Sequence, residues 1–217
     1  YSLLESSLAA DPSTDRLFFD ARDLSSGERI IFSLAMTTGE ISEMVAGFNP
    51  VVYKGGEKII FLIYENGEYR IMQLDLESGT FSALSADVFS RQPSIISCGK
   101  FLIVGAKGLD SFKRYMIDEN GTKISGLEKL PQNYDLIDCI SGQGLLVAFD
   151  NLKKTALLYD LNSNEAHPVK GMEQGEYPLS TVNQGRGIIV LRRKIESRLI
   201  FFKEEVYAVG SMDLESG

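Results

Sequence analysis

An apolar tripeptide returns along the chain at a nearly fixed interval: Leu17-Phe18-Phe19, Ile59-Ile60-Phe61, Leu102-Ile103-Val104, Leu145-Leu146-Val147 and Ile188-Ile189-Val190. Phe19 to Phe61 is 42 residues and each later step is 43, so five such units fill the 217 residues. A period in this range, with one supersecondary unit per repeat, is the mark of a repeat architecture. The repeat leaves little chain for anything else.

The second unit shows what is repeated. Lys58-Ile59-Ile60-Phe61-Leu62-Ile63-Tyr64 is a short apolar run, rich in β-branched and aromatic residues and closed by Glu65-Asn66-Gly67. Its length and flanks predict a strand buried on both faces. Tyr69 to Leu76 follows as a second strand. Glu77-Ser78-Gly79-Thr80 is a hairpin turn with Gly where a positive φ is needed, and Phe81-Ser82-Ala83-Leu84 is a half-polar third strand. A fourth begins at Pro93 and leads through Gly99-Lys100 into the next apolar run. The same punctuation returns at Thr37-Thr38-Gly39-Glu40, Glu119-Asn120-Gly121-Thr122 and Asn162-Ser163-Asn164-Glu165, while Pro50, Pro93 and Pro178 mark the fourth strand. No helical stripe competes. Four short strands per unit, the first apolar all round, describe a β-propeller blade.

The sequence therefore predicts an all-β, five-bladed propeller of four-stranded antiparallel blades, forming one domain over residues 1–217, with blades starting near Leu17, Ile59, Leu102, Leu145 and Ile188. The fifth unit has three strands. A spare strand-like segment, about Leu3 to Ala10, aligns with the fourth-strand position and is expected to complete the last blade and close the ring, leaving no open edge. The rival is part of a six- or seven-bladed sensor or gating propeller.

The segment from Asn49 to Leu84 resembles the repeat of TolB-like propellers: Pro50, the aromatic Tyr53, the turn Lys54-Gly55-Gly56-Glu57, the apolar strand, then Met72-Gln73-Leu74-Asp75-Leu76-Glu77-Ser78-Gly79. Weaker copies at Met116-Ile117-Asp118 and Tyr159-Asp160-Leu161 extend the resemblance over most of the chain. The Trp and the Ser-Pro-Asp-Gly turn of that repeat are absent. The resemblance, which extends to WD40-like propellers as a class, implies a binding platform or a gate beside a separate catalytic domain, in an extracytoplasmic setting, periplasmic or at the cell surface. The chain opens at Tyr1 rather than Met, which we read as removal of a signal peptide, a lipoprotein anchor or another domain.

Composition removes several function classes. A net charge of −8 argues against nucleic acid or an anionic membrane as the main partner, both of which need a cationic face. No apolar run approaches the roughly 18 residues of a membrane span. One His, His167, and no CxxC pair leave no zinc set, and no cofactor motif is present. Cys98 and Cys139 occupy unequal positions in their repeats and are expected to be two buried thiols. His167 is the only histidine base for a hydrolase and falls on a strand remote from the ring axis, where an exposed sheet histidine is expected.

Two kinds of site remain. Residues just past each apolar run approach one rim of a propeller channel: Asp20, Asp23, Glu65, Lys107, Asp150, Arg192 and Arg193. Their mixed charge suits a protein or peptide partner, and such a non-catalytic platform is the favoured reading. The alternative is a five-bladed glycoside hydrolase using a carboxylate pair from Asp20, Asp138 and Asp150. Asp138 stands out between Ile137, Cys139 and Ile140, where burial would favour the neutral acid. The lack of Trp speaks against a sugar cleft.

Overall fold

The structure is a computed structural model that describes residues 7–11, 14–107, 112–118, 120–124, 127–140, 143–170, 172, 176–182, 188–199 and 202–213. Among these every regular element is a strand. Among the described residues no helix is long and apolar enough to cross a membrane.

The first sheet contains β1 (Leu8–Asp11), β2 (Arg16–Arg22), β3 (Arg29–Ala35) and β4 (Ile41–Ala46), and the second β5 (Phe48–Tyr53), β6 (Lys58–Glu65), β7 (Glu68–Asp75) and β8 (Phe81–Phe89). The third has β9 (Ser94–Cys98), β10 (Phe101–Lys107), β11 (Phe112–Ile117) and β12 (Lys123–Ile124). The fourth has β13 (Tyr134–Ile140), β14 (Leu145–Asp150), β15 (Thr155–Asp160) and β16 (Glu165–Pro168). The fifth has three strands, β17 (Glu176–Val182), β18 (Ile188–Leu199) and β19 (Phe202–Asp213). Within each sheet, consecutive strands are neighbours, and β1–β2, β6–β7, β9–β10, β13–β14 and β17–β18 pair antiparallel. The chain divides into two compact units, Tyr1–Lys113 with Ile117–Lys123, and Arg114–Met116 with Ile124–Gly217.

The apolar tripeptides lie on the second strand of each sheet. The first strand is the segment read from sequence as the fourth of the preceding unit. The sheets thus begin one strand earlier than expected, at Leu8, Phe48, Ser94, Tyr134 and Glu176. The reason is local. Each of these segments is joined to its apolar run by a short turn, such as Lys54-Gly55-Gly56-Glu57 between β5 and β6, and a short loop is the cheapest one to close. The same physics corrects the expected ring closure. Leu8–Asp11 pairs with its neighbour β2, Leu8 opposite Phe19, and lies in the first sheet rather than the last; residues 1–6 lie outside the described residues.

Burial follows this order. On β6, Ile59 to Leu62 are all buried, and on β14 so are Leu146 to Ala148, which requires cover on both sheet faces. The outer strands β4, β8 and β16 are mostly exposed. Turn chemistry sets the hairpins. Asn66 (φ 53°) and Gly67 (φ 83°) join β6 to β7 as a two-residue turn with both φ positive, matching the strand twist. Pro50 and Pro178 sit beside register shifts in β5 and β17, places where a missing N–H does least harm.

The cysteines differ from expectation. Cys98 and Cys139 are both disulfide-bonded. Unequal places in the repeat decide nothing about oxidation state.

Candidate binding groove

Between the first two sheets, both in the first unit, lies a groove of about 660 Å³. Its apolar wall comes from the second sheet: Phe48, Phe61, Tyr64, Tyr69 and Phe81. Phe48 and Tyr69 meet edge to face with centroids 6.2 Å apart, and Tyr69 and Tyr64 lie 4.6 Å apart. Tyr64 is 57% and Phe81 61% exposed, an unusual state for large rings. Charges stand around this wall: Arg22, Glu28 and Arg29 from the first sheet and Glu65 from the second.

The groove depends on a buried ion pair. Asp20, on β2, is fully buried, and Arg29, at the start of β3, donates from Nε to its Oδ2 at 2.7 Å and from a terminal nitrogen to the same oxygen. The other carboxylate oxygen accepts from the backbone N–H of Ser7 at 2.9 Å and of Asn49 at 3.2 Å. Asn49 belongs to β5, so this one carboxylate ties the first sheet to the second. Held this way, the Arg29 guanidinium sits 4.8 Å from the centre of the Phe48 ring, in cation–π contact at the groove wall. Between the sheets, Gly47 (φ 152°) lets the chain pass so close to Phe61 that a Cβ would stand 2.5 Å from its ring.

Of the residues expected at a channel mouth, Asp23 and Asp150 are engaged in turns. Asp23 closes the β2–β3 turn, accepting from the N–H and hydroxyl of Ser25 at 2.7 and 2.6 Å; these hydrogen bonds, the hydroxyl's first, hold its carboxyl below the ordinary value. Glu65 is exposed at the Asn66-Gly67 turn and borders the groove. Asp150 is fully buried, accepting from the N–H groups of Leu152 and Lys153 at 2.8 and 3.1 Å and from the Asn133 side chain, so it organises the β14–β15 turn. The side chains of Lys107, Arg192 and Arg193 lie outside the described residues. Asp138 is half-buried rather than enclosed. It lies at a β-bulge in β13, which turns it away from the apolar alternation, and accepts from the Cys139 N–H at 2.8 Å. His167 is exposed on β16.

Of the predicted residues, Glu65 lines the groove and Asp20 acts through Arg29. The aromatic wall was missed. A signal existed: residues 48–89 carry seven of the 21 Phe and Tyr residues, a third of them in a fifth of the chain. Phe81 also opens an outer strand at a position where Glu165 begins β16.

No protein-family model matches the sequence, and no curated protein does. Solved structures do. TolB from Acinetobacter baumannii superimposes with a TM-score of 0.70 at 13% identity, over 96% of this chain and 52% of that one. This chain therefore spans about half the length of that TolB. The β-propeller domain of the Trilobed protease from Pyrococcus furiosus, whose structure reveals an open velcro topology, matches with a TM-score of 0.65 at 13% identity, over 95% and 67%. A chain of a nidogen–laminin complex matches with a TM-score of 0.61 at 15% identity, over 96% and 75%. The fold is that of TolB-like β-propellers.

Proposed function

We propose that this propeller is a non-catalytic binding platform of five blades that takes a protein or peptide partner in the aromatic groove between its first two sheets. The observation that carries the reading is the exposure of Tyr64 and Phe81 beside a groove of about 660 Å³. Rigid aromatic side chains next to charged ones are the groups that supply most binding energy at protein interfaces. The occupation of Asp20 by Arg29, and of Asp150 by turn N–H groups, supports a binding rather than a glycosidase role. That a chain of similar fold was solved in a nidogen–laminin complex supports a protein partner. An extracytoplasmic location is supported by the oxidised state of Cys98 and of Cys139, since disulfides persist in oxidising compartments. The match to 67% of one propeller domain favours a second reading of the architecture, in which the five sheets are part of a larger ring.

A photo-crosslinking residue placed at Tyr64 tests the site. It should trap a partner from the native extract that the same probe at exposed Leu152 does not. Adding Phe81→Ala should abolish capture by the Tyr64 probe without lowering the melting temperature. Equal labelling from both positions, or none from Tyr64, would remove the groove as the binding site.

A further inference from the structure

The hairpin between β11 and β12 carries a motif that neither the fold nor the groove uses. Asn120-Gly121-Thr122 is an Asn-X-Thr sequence with X other than Pro, the acceptor pattern for attachment of a glycan to asparagine. Every other asparagine of the chain lacks Ser or Thr two residues on, so this hairpin is the single candidate.

The turn is built so that both side chains of the motif stay in solvent. Asp118 holds it together. The Asp118 N–H donates to the Thr122 carbonyl at 2.9 Å, and its own carbonyl accepts from the Gly121 N–H at 3.0 Å. Its carboxylate accepts from the N–H groups of Asn120 and Thr122 at 2.9 and 2.8 Å. Gly121, at φ 80°, takes the left-handed position. The Tyr53 hydroxyl donates to the Asp118 carbonyl at 3.0 Å and fastens the hairpin to β5. All three motif residues are exposed, and among the described residues nothing bonds to the Asn120 side-chain amide or the Thr122 hydroxyl. The corresponding turn of the second sheet differs. There Ser78 Oγ lies 2.9 Å from the Asp75 carboxylate and 2.8 Å from Thr80 Oγ1, so its side chains are engaged with one another.

We propose that Asn120 is a glycosylation site, which takes an oligosaccharide on Nδ2. The site rests on the extracytoplasmic location proposed above, since the motif is used in secreted proteins; the oxidised state of Cys98 and of Cys139 supports that setting independently of the motif. Transfer forms a bond from Nδ2 to the anomeric carbon of the sugar and breaks that carbon's bond to the phosphate oxygen of a lipid-pyrophosphate donor. One amide proton passes to a base of the transferase, and the lipid pyrophosphate leaves. A bulky hydrated group here stands at the start of β12, whose two residues give the outer edge of the third sheet little cover of its own.

The test is peptide mapping by mass spectrometry of the full protein from its native cells, with its fractionation followed in parallel. The peptide containing Asn120 is expected to carry added sugar mass. The peptide containing Asn66, in an exposed Asn-Gly turn followed by Glu68, should carry none. Asn120→Gln and Thr122→Ala should each remove the added mass completely, and Thr122→Ser should keep it, with all three variants folded by circular dichroism. A plain Asn120 peptide in protein that fractionates outside the cytoplasm would overturn the site and leave the location standing. A plain peptide in cytoplasmic protein would overturn both. Sugar mass that persists in Thr122→Ala would show attachment without the motif, and the proposal would fall.

Discussion

Arg29 grips Oδ2 of Asp20 with two nitrogens while its guanidinium lies over Phe48, so a single fully buried carboxylate positions both an ion pair and a wall of the groove. Removing one partner of such a pair strands the other. Asp20→Ala leaves the Arg29 charge and the Ser7 and Asn49 N–H groups without this acceptor, and should cost about 3–5 kcal/mol in urea unfolding. Asp20→Asn should cost less, because it keeps an acceptor. A loss under about 1 kcal/mol for Asp20→Ala would show that the pair is not what joins the two sheets.

Gly47 and Gly79 make a matched comparison. Both have positive φ, but a Cβ at Gly47 meets the Phe61 ring at 2.5 Å and the Leu62 carbonyl oxygen at 2.9 Å, whereas at Gly79 nothing lies within 4 Å. Gly79→Ala should cost about 1 kcal/mol of backbone strain. Gly47→Ala adds overpacking against a backbone atom that cannot yield, for a further 1–3 kcal/mol or so. Equal melting temperatures for the two variants would contradict the close approach.

Three hairpin aspartates, Asp23, Asp75 and Asp160, are held below the ordinary value of 3.8 by hydrogen bonds from their turns: chiefly the Ser25 hydroxyl, the Ser78 N–H and the Asn162 N–H respectively. In the unfolded chain they return to about 3.8 and bind protons first as acid is added. The stability they contribute is full above that pH and is lost as the pH falls through the lower folded values. Replacing all three by Asn should flatten this acid limb while leaving the pH 5–8 plateau nearly level. An acid limb of unchanged steepness would mean that other carboxylates set it.

Arg114 donates to the backbone carbonyls of Pro131, at 2.8 Å, Gln132, at 3.0 Å, and Tyr134, which gathers the segment before β13 around one guanidinium. Burial lowers its pKa, an effect opposed by the charge of Asp135, yet it remains a cation at any physiological pH. Arg114→Ala should cost about 2–3 kcal/mol and increase hydrogen exchange at Tyr134 and its neighbours more than in β6. Uniform exchange across the chain would argue against a local clasp.

Much of the fold was legible because its determinants are short-range. The apolar runs, the Asn66-Gly67 turn and the Gly39, Gly79 and Gly121 turns each act within a few residues, and all lie where the repeat places them. Strand phase was misread because a segment flanked by two turns can belong to either neighbouring sheet. Leu8–Asp11 shows the consequence: it joins β2 across a short turn rather than a distant blade. The candidate site was the least legible part. Asp20 and Asp150 read as rim carboxylates because sequence shows their spacing from the apolar run, not the Arg29 or turn N–H groups that occupy them.

By itself the sequence determined the repeat, its strand content, its turns and the burial of β6 and β14, since hydrophobic period and turn conformation are properties of neighbouring residues. Tertiary structure alone decided that Asp20 accepts from the Asn49 N–H and that Tyr64 and Phe81 flank a groove shared with Arg22 and Arg29. Each of these is a meeting of residues distant in the chain. Such meetings depend on how sheets stack, which no local pattern encodes.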